Sequence, residues 1–469
     1  MIVVASSPGF VKGDKDADSP RANRTYEYDT PSPRFGKYVL EELLPFVETL
    51  KTKDGREIKL SKNPSDRMVA GFSSGAAAAF NLAWAYPWEF SRVFTGAGSF
   101  TGLRGSYANS TLVHKFEPKP LRLFLQSGTR DMWTCFGDWW SGNQAMVRAL
   151  EFAGYEHKFA FGDASHSGKQ AEMLMPEIMR YLWKDWPKPV AASTKTRNHV
   201  LNEVLEWGLG FEKIKEGEKG SLLIMAEKGK VILSSKDGSR LISGEGASEF
   251  PKGLIARSTS GDLVLEGGRL KLLLGGKACA IAKDTSCASA FAMRDGSFYA
   301  LLANSGGKSS LVWISPDGNL KTLENGAASG GAIAASGNEN WLYVFDSATR
   351  RGYNYKILPE GNLDYKQEFF FLHLPDQCDS TLASSAICDD GGRTYLATTA
   401  GIQICDYNGR SAAILELPKG ERPVSLAFGG EDMNILYVVG ELGNVYKRKI
   451  KPHGSSCFTK SPKIRVGAG

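Results

Sequence analysis

Two kinds of apolar spacing alternate from residue 1 to about 188. Short stretches rich in apolar residues predict strands at Ile2–Ala5, Met68–Ala70, Arg92–Gly98, Leu121–Gln126 and His157–Phe161. Apolar residues three and four apart predict helices over Phe35–Leu50, Gln144–Ala153 and Gln170–Trp186, the last stopped by Pro187 and Pro189. Strand–helix alternation of this kind implies a parallel sheet with helices on its faces. The polar stretch from Gly9 to Arg34 is too long for a plain connector.

Beyond a linker-like stretch (PKPVAASTKT, 187–196) the period changes. From about 205 to 450 the chain has short β-like runs and almost no helical period, with examples at 221–225, 297–302, 311–314, 341–345, 394–398 and 435–439. Turn pairs such as Asp237-Gly238, Asp295-Gly296, Asp317-Gly318 and Asn408-Gly409 punctuate them. Roughly 250 residues at ~40–45 per repeat correspond to about six blades of a β-propeller. A pair of β-sandwiches is the alternative. The expected fold class is therefore α/β followed by all-β, with domains at 1–188 and 205–455, a linker at 189–204 and a tail at 456–469.

One stretch carries chemistry. The apolar run at 68–70 meets Gly71-Phe72-Ser73-Ser74-Gly75, and an alanine-rich helical pattern follows at once. Strand, sharp turn and helix around G-x-S-x-G is the setting of a nucleophile elbow. Glycines flank the serine where strand and helix close on each other, which nominates both Gly71 and Gly75 as positions without room for a Cβ. A serine nucleophile needs a base and an orienting acid, in the chain order Ser, Asp or Glu, His, each after a strand. Asp131 follows the strand at 121–126, and His166 follows the strand at 157–161. His166 is the candidate base and Asp131 its orienting acid. Asp138 and Asp163 are nearby carboxylates, while His157 lies within a strand. The Ser74 backbone N–H is a candidate oxyanion donor. Trp133, Trp139 and Trp140 follow Asp131 closely and suit either a sugar or aryl pocket or packing over a helix.

Composition narrows the classes without changing them. Hydrophobic content of 42% and charged content of 23% are ordinary for globular chains, and 469 residues favour more than one domain. The formal charge of +6 is dispersed, and its densest cluster, Lys447-Arg448-Lys449, reads as a solvated edge strand rather than a nucleic-acid surface. No run of 18 apolar residues suggests a membrane span. Residues 1–5 lack the basic and long apolar regions of a signal peptide, and the compartment stays open. Seven cysteines without a C-x-x-C pair read as free thiols. Neither metal spacing nor a cofactor motif is present, so no cofactor is expected.

The segments NRTYEYDT (23–30), GFSSG (71–75), GSFTGLRG (98–105), FLQSGTRD (124–131) and GDASHSG (162–168) resemble, in order, enterochelin-esterase-like hydrolases of the esterase D and carbohydrate-esterase branch of the α/β-hydrolases. The resemblance covers about 20–186. It implies Ser73 as nucleophile, Asp131 as acid and His166 as base, acting on esters through an acyl-enzyme. The expected partner is a small-molecule or carbohydrate ester. The family also implies strands upstream of Ile2–Ala5 and a loop supplying a second oxyanion N–H. Loss of such a donor typically costs ~100–1000-fold in turnover.

From residue 310 on, WLYVFDS (341–347), YNYKI (353–357), FLHLPD (371–376), YLATTAGIQICD (395–406) and PVSLAFGG (423–430) resemble the six-bladed propeller of the senescence marker protein/gluconolactonase family. That family holds one divalent cation on the channel axis with a Glu, an Asn and an Asp. Carried over by position, the Glu aligns weakly with Glu212, the Asn falls at Gly331, and the Asp falls at Ala383 or Ser384. A glycine and an alanine or serine cannot replace an amide oxygen and a carboxylate around a hard cation. Three readings compete: a serine esterase whose propeller aids binding, a non-catalytic scaffold with both sites decayed, and a metal-dependent lactonase.

Overall fold

In the computed structural model of the chain, residues 1–12, 21–243, 250–304 and 306–463 are described. Parts of the 9–34 loop and of the 456–469 tail lie outside them. The chain divides into two compact units, Met1–His199 with Pro375–Gln377, and Val200–Leu374 with Cys378–Gly469. The division falls within the 189–204 stretch.

The first unit is α/β. Its sheet has four parallel strands in the order β1 (Met68–Phe72), β2 (Arg92–Gly96), β3 (Arg122–Arg130) and β4 (Glu156–Ser165). Adjacent side chains of one strand go to opposite cores. Val93, Leu123 and Leu125 pack with Phe80, Leu82, Met146 and Leu150, whereas Phe94 and Phe124 pack with Ile178 and Leu182. Burial on both faces is why the central strands β2 and β3 read as apolar runs rather than alternating ones, whereas β1 and β4 are half-buried to exposed. Helices α1 (Ser74–Ala85), α2 (Trp139–Ala153) and α3 (Lys169–Leu182) supply the covering layers. α1 carries Ala76, Ala77 and Ala83 at 0% exposure, small side chains that let it lie close on the sheet.

Residues 2–5 are a correction: they form no strand, and Ile2 and Val3 are exposed. A strand needs a ladder partner, and β1 stands at the sheet edge with β2 as its neighbour among the described residues.

The second unit is a six-bladed β-propeller, which overturns the sandwich alternative. Six antiparallel meanders follow one another, from Leu222–Met225, Val231–Ser235 and Gly238–Ser243 in the first to Pro423–Gly429, Ile435–Gly440 and Asn444–Lys449 in the last. The ring closes because Glu212–Glu216, from the start of the unit, pairs antiparallel with Asn444–Lys449. Here too alternation divides residues between cores. Leu342 and Val344 pack with Leu301, Leu311 and Tyr355 of one interblade layer, and Tyr343 and Phe345 pack with Phe370 and Leu396 of the next. Helix His199–Val204 adds Val200, Leu201 and Val204 to the core beneath the last two blades. The basic cluster is a second correction. It lies on a strand covered by Glu212–Glu216, and Arg448 is buried with its guanidinium 5.4 Å from the Phe211 ring.

Candidate functional site

The turn between β1 and α1 holds Ser73 at φ 56°, ψ −124°, a region that L-residues adopt only when the surroundings impose it. The cause is the close approach of helix to strand: a Cβ on Gly71 would lie 1.9 Å from the Gly75 carbonyl oxygen. Gly75 differs from expectation, since a Cβ there meets nothing within 4 Å. The steric demand falls on Gly71 alone.

β3 runs to Arg130 and β4 to Ser165, further than the apolar runs indicated, so Asp131 and His166 emerge directly from the strand ends. His166 Nε2 lies 3.0 Å from Ser73 Oγ, and His166 Nδ1 lies 2.6 Å from Asp131 Oδ1. Asp131 also accepts from the Ser127 hydroxyl at 2.9 Å and the Met132 N–H at 2.8 Å. Its side chain is 1% exposed. Burial pushes the Asp131 carboxyl up, but the donors from His166, Met132 and Ser127 outweigh it and hold the group below its ordinary value. An ionised Asp131 accepts a hydrogen bond from Nδ1–H and so leaves Nε2 as acceptor for the Ser73 hydroxyl. Phe72 and Trp139 pack on the imidazole at ring separations of 5.2 and 6.1 Å.

The rival residues are engaged elsewhere. Asp138 caps α2 through the Trp140 N–H at 3.0 Å, Asp163 pairs with Arg130 at 3.2 Å, and a ring nitrogen of His157 bonds the Tyr155 carbonyl. Ser74 is the first residue of α1, so its N–H has no carbonyl of its own helix to bond. The three tryptophans occupy three environments. Trp133 is 87% exposed, Trp139 is 2% exposed with its indole N–H donating to Ser99, and Trp140 packs on Phe161 at 4.9 Å.

Two buried residues beside the elbow escaped the sequence reading. Ser99, at 0% exposure, lies 3.3 Å from Ser73 Oγ. It follows β2 as Asp131 follows β3, and that shared position past a strand end was the available signal. Asp29 is also fully buried, and neither carboxylate oxygen has a hydrogen-bond partner. Burial pushes its pKa up to about 6, while the Ser74 hydroxyl, near but without well-formed bond geometry, and Arg24 act in the opposite direction.

The cation set implied for the propeller does not fit. Glu212, the weak candidate ligand, is on the outermost strand of the last blade, exposed and paired with Lys447 at 3.4 Å. A side chain at Gly331 would place its Cβ 1.9 Å from the Phe345 carbonyl oxygen, and Ala383 is buried without a ligating atom. The cavity among the innermost strands, about 90 Å³, is lined by apolar residues such as Leu223, Met225 and Ile333 together with Arg257, Ser289 and Ser385, and among the described residues no carboxylate lines it.

A parallel sheet with helices on both faces and a nucleophile-elbow turn is an α/β-hydrolase architecture, here in one chain with a six-bladed propeller. Residues 1–174 match the family model described as putative esterase, and residues 212–440 match the SMP-30/gluconolactonase/LRE-like region. The chain thus joins an esterase-family region to a gluconolactonase-like region. Among solved structures, a gluconolactonase from Xanthomonas campestris is similar at 15% identity and TM-score 0.43, covering 54% of this chain and 92% of that one. Regucalcin from Agrobacterium tumefaciens, a calcium-binding protein, is similar at 15% identity and TM-score 0.41, with coverage of 54% and 95%. The enterochelin esterase of Shigella flexneri is similar at 20% identity and TM-score 0.29, with 35% of this chain and 43% of that one covered. No curated protein matches the sequence.

Proposed function

We propose that the first unit is a serine hydrolase that cleaves carboxylic esters through an acyl-enzyme on Ser73. The observation that carries this reading is His166 bridging Ser73 Oγ at 3.0 Å and Asp131 at 2.6 Å. His166 Nε2 takes the Ser73 proton as Oγ attacks the ester carbonyl, and the imidazolium is steadied by Asp131. The Ser74 N–H donates to the oxyanion. Collapse of the tetrahedral species breaks the carbonyl–alkoxy bond, and His166 returns its proton to the departing alkoxide. Water then attacks the acyl-enzyme by the same path in reverse, releasing acid and free Ser73.

The esterase family match supports a small-molecule ester as substrate. A sugar or aryl ester is the finer proposal, with the exposed Trp133 and half-buried Trp140 as its contacts. We read the propeller as a scaffold that aids substrate or partner binding, because the positions aligned with cation ligands carry no suitable side chains.

Hydrolysis of p-nitrophenyl acetate by the full chain tests the proposal. Ser73→Ala and His166→Ala should each lower kcat by about 10⁴-fold or more. Turnover retained by Ser73→Ala would overturn the assignment, and a folded wild type without turnover on this or aryl and sugar esters would favour the scaffold reading.

A further inference from the structure

Ser73 has a second neighbour that the acid–base pair does not account for. Ser99 is tied to it twice: the Ser99 N–H donates to the Ser73 carbonyl at 3.1 Å, and the two hydroxyl oxygens are 3.3 Å apart. Ser99 Oγ in turn accepts the Trp139 indole N–H at 3.0 Å. Both side chains are buried, at 0% and 2% exposure. The segment is held from outside this chain of contacts by the fully buried Asn143, whose amide donates to the Gly98 carbonyl at 2.9 Å and the Trp139 carbonyl at 2.8 Å.

Donor chemistry fixes the direction of the chain. An indole nitrogen can only donate, so Ser99 Oγ is the acceptor in its contact with Trp139. At the other end, Asp131 accepts from the Nδ1–H of His166, so Nε2 accepts from the Ser73 hydroxyl. With the Ser73 hydrogen committed to His166, Ser73 Oγ is left to accept, and the Ser99 hydrogen is the donor aimed at it.

We infer that Ser99 is a positioning residue for the nucleophile, and that Trp139 helps to orient the Ser99 hydroxyl by occupying one of its two lone pairs. Trp139 N–H donates to Ser99, Ser99 O–H donates to Ser73, and Ser73 O–H donates to His166. The two hydrogen bonds on Ser73 Oγ hold one rotamer, with the hydroxyl facing the base before substrate arrives. No proton leaves Ser99 in this role. Trp139, which the sequence leaves between pocket lining and packing over a helix, then acts from behind the nucleophile.

The inference rests on Ser73 being the nucleophile, and the test separates the two. The second-order rate of phosphonylation by a fluorophosphonate is measured on the full chain, with kcat and KM for p-nitrophenyl acetate beside it. Ser99→Ala should slow phosphonylation and kcat about 10-fold, which is ~1.4 kcal/mol and near the net worth of one neutral hydrogen bond. KM should stay within about twofold. Trp139→Phe keeps a ring against His166 but removes the donor, and should cost about 3-fold. The double variant should be no slower than Ser99→Ala alone, because the two residues act in one chain. Ser99→Thr, which retains the hydroxyl, should recover most of the rate.

A purely structural role would lower melting temperature while leaving the rate per folded molecule unchanged, and that result would overturn the inference. So would a double variant whose losses multiply. A wild type that takes no label would remove the nucleophile assignment and this inference with it. A labelled wild type with Ser99→Ala labelled equally fast would remove the inference alone.

Discussion

Asp29→Asn is the perturbation whose outcome follows most fully from the geometry. The Asp29 carboxyl is fully buried without a hydrogen-bond partner, and its pKa rises from 3.8 to about 6. A raised carboxyl pKa means that the folded chain holds this proton more tightly than the unfolded chain. Below pH 3.8 both states are protonated and the group costs nothing. Between 3.8 and about 6 the unfolded state ionises first, so stability falls as pH rises, and above 6 the full cost is present. A shift of about two units at 1.36 kcal/mol each amounts to ~3 kcal/mol. Asparagine does not ionise, so Asp29→Asn should gain up to ~3 kcal/mol on wild type between pH 4 and pH 8. Any cost of burying its amide is the same at both pH values and drops out of the comparison. Calorimetry of the full chain reads this directly, since the transition that the substitution moves belongs to the first unit. A difference between the two proteins that is the same at pH 4 and pH 8 would refute the reasoning.

Other outcomes follow from single contacts. Gly71→Ala forces a Cβ to 1.9 Å from the backbone of Gly75 and should abolish activity and destabilise the first unit by more than ~3 kcal/mol, whereas Gly75→Ala meets open space and should be neutral or stabilising by up to ~1 kcal/mol in thermal melts. Asp131→Asn should lower kcat by about 10⁴-fold with KM nearly unchanged, as measured by steady-state ester hydrolysis. Leu342→Ala, at 0% exposure between two blades, should cost the propeller ~2–5 kcal/mol in denaturant unfolding. Glu212→Ala removes an exposed pair with Lys447 and should shift stability by no more than ~0.5 kcal/mol in the same assay.

Much of the fold was legible because the central strands of both units are buried on two faces. Such strands leave short apolar runs in the sequence, and runs such as 341–345 coincide with the observed strand Trp341–Phe345. Glycine turns marked the hairpins: Gly296 and Gly409 have φ of 89° and 76°, which asparagine- and aspartate-glycine pairs suit. The proximity of Ser73, Asp131 and His166 could be anticipated because each follows a strand in a fixed chain order. What escaped depended on neighbours the sequence does not reveal. Ile2 to Ala5 has strand composition but no ladder partner. Lys447-Arg448-Lys449 looks like a solvated edge until Glu212–Glu216 covers it from the other end of the ring. Asp29 looks like any loop aspartate, and only the placement of its segment against α1 makes it buried. Three tryptophans within eight residues look alike in sequence, yet their exposures run from 2% to 87%. Ser99 is a serine in a glycine-rich loop until Trp139 and Ser73 are brought to either side of it.

Covalent capture tests the central claim most directly. The full chain is incubated with a fluorophosphonate, and intact mass and peptide mapping locate the adduct. One adduct is expected, on the peptide containing Ser73, absent in Ser73→Ala and strongly slowed in His166→Ala. An adduct on another residue, or undiminished labelling of Ser73→Ala, would contradict the claim.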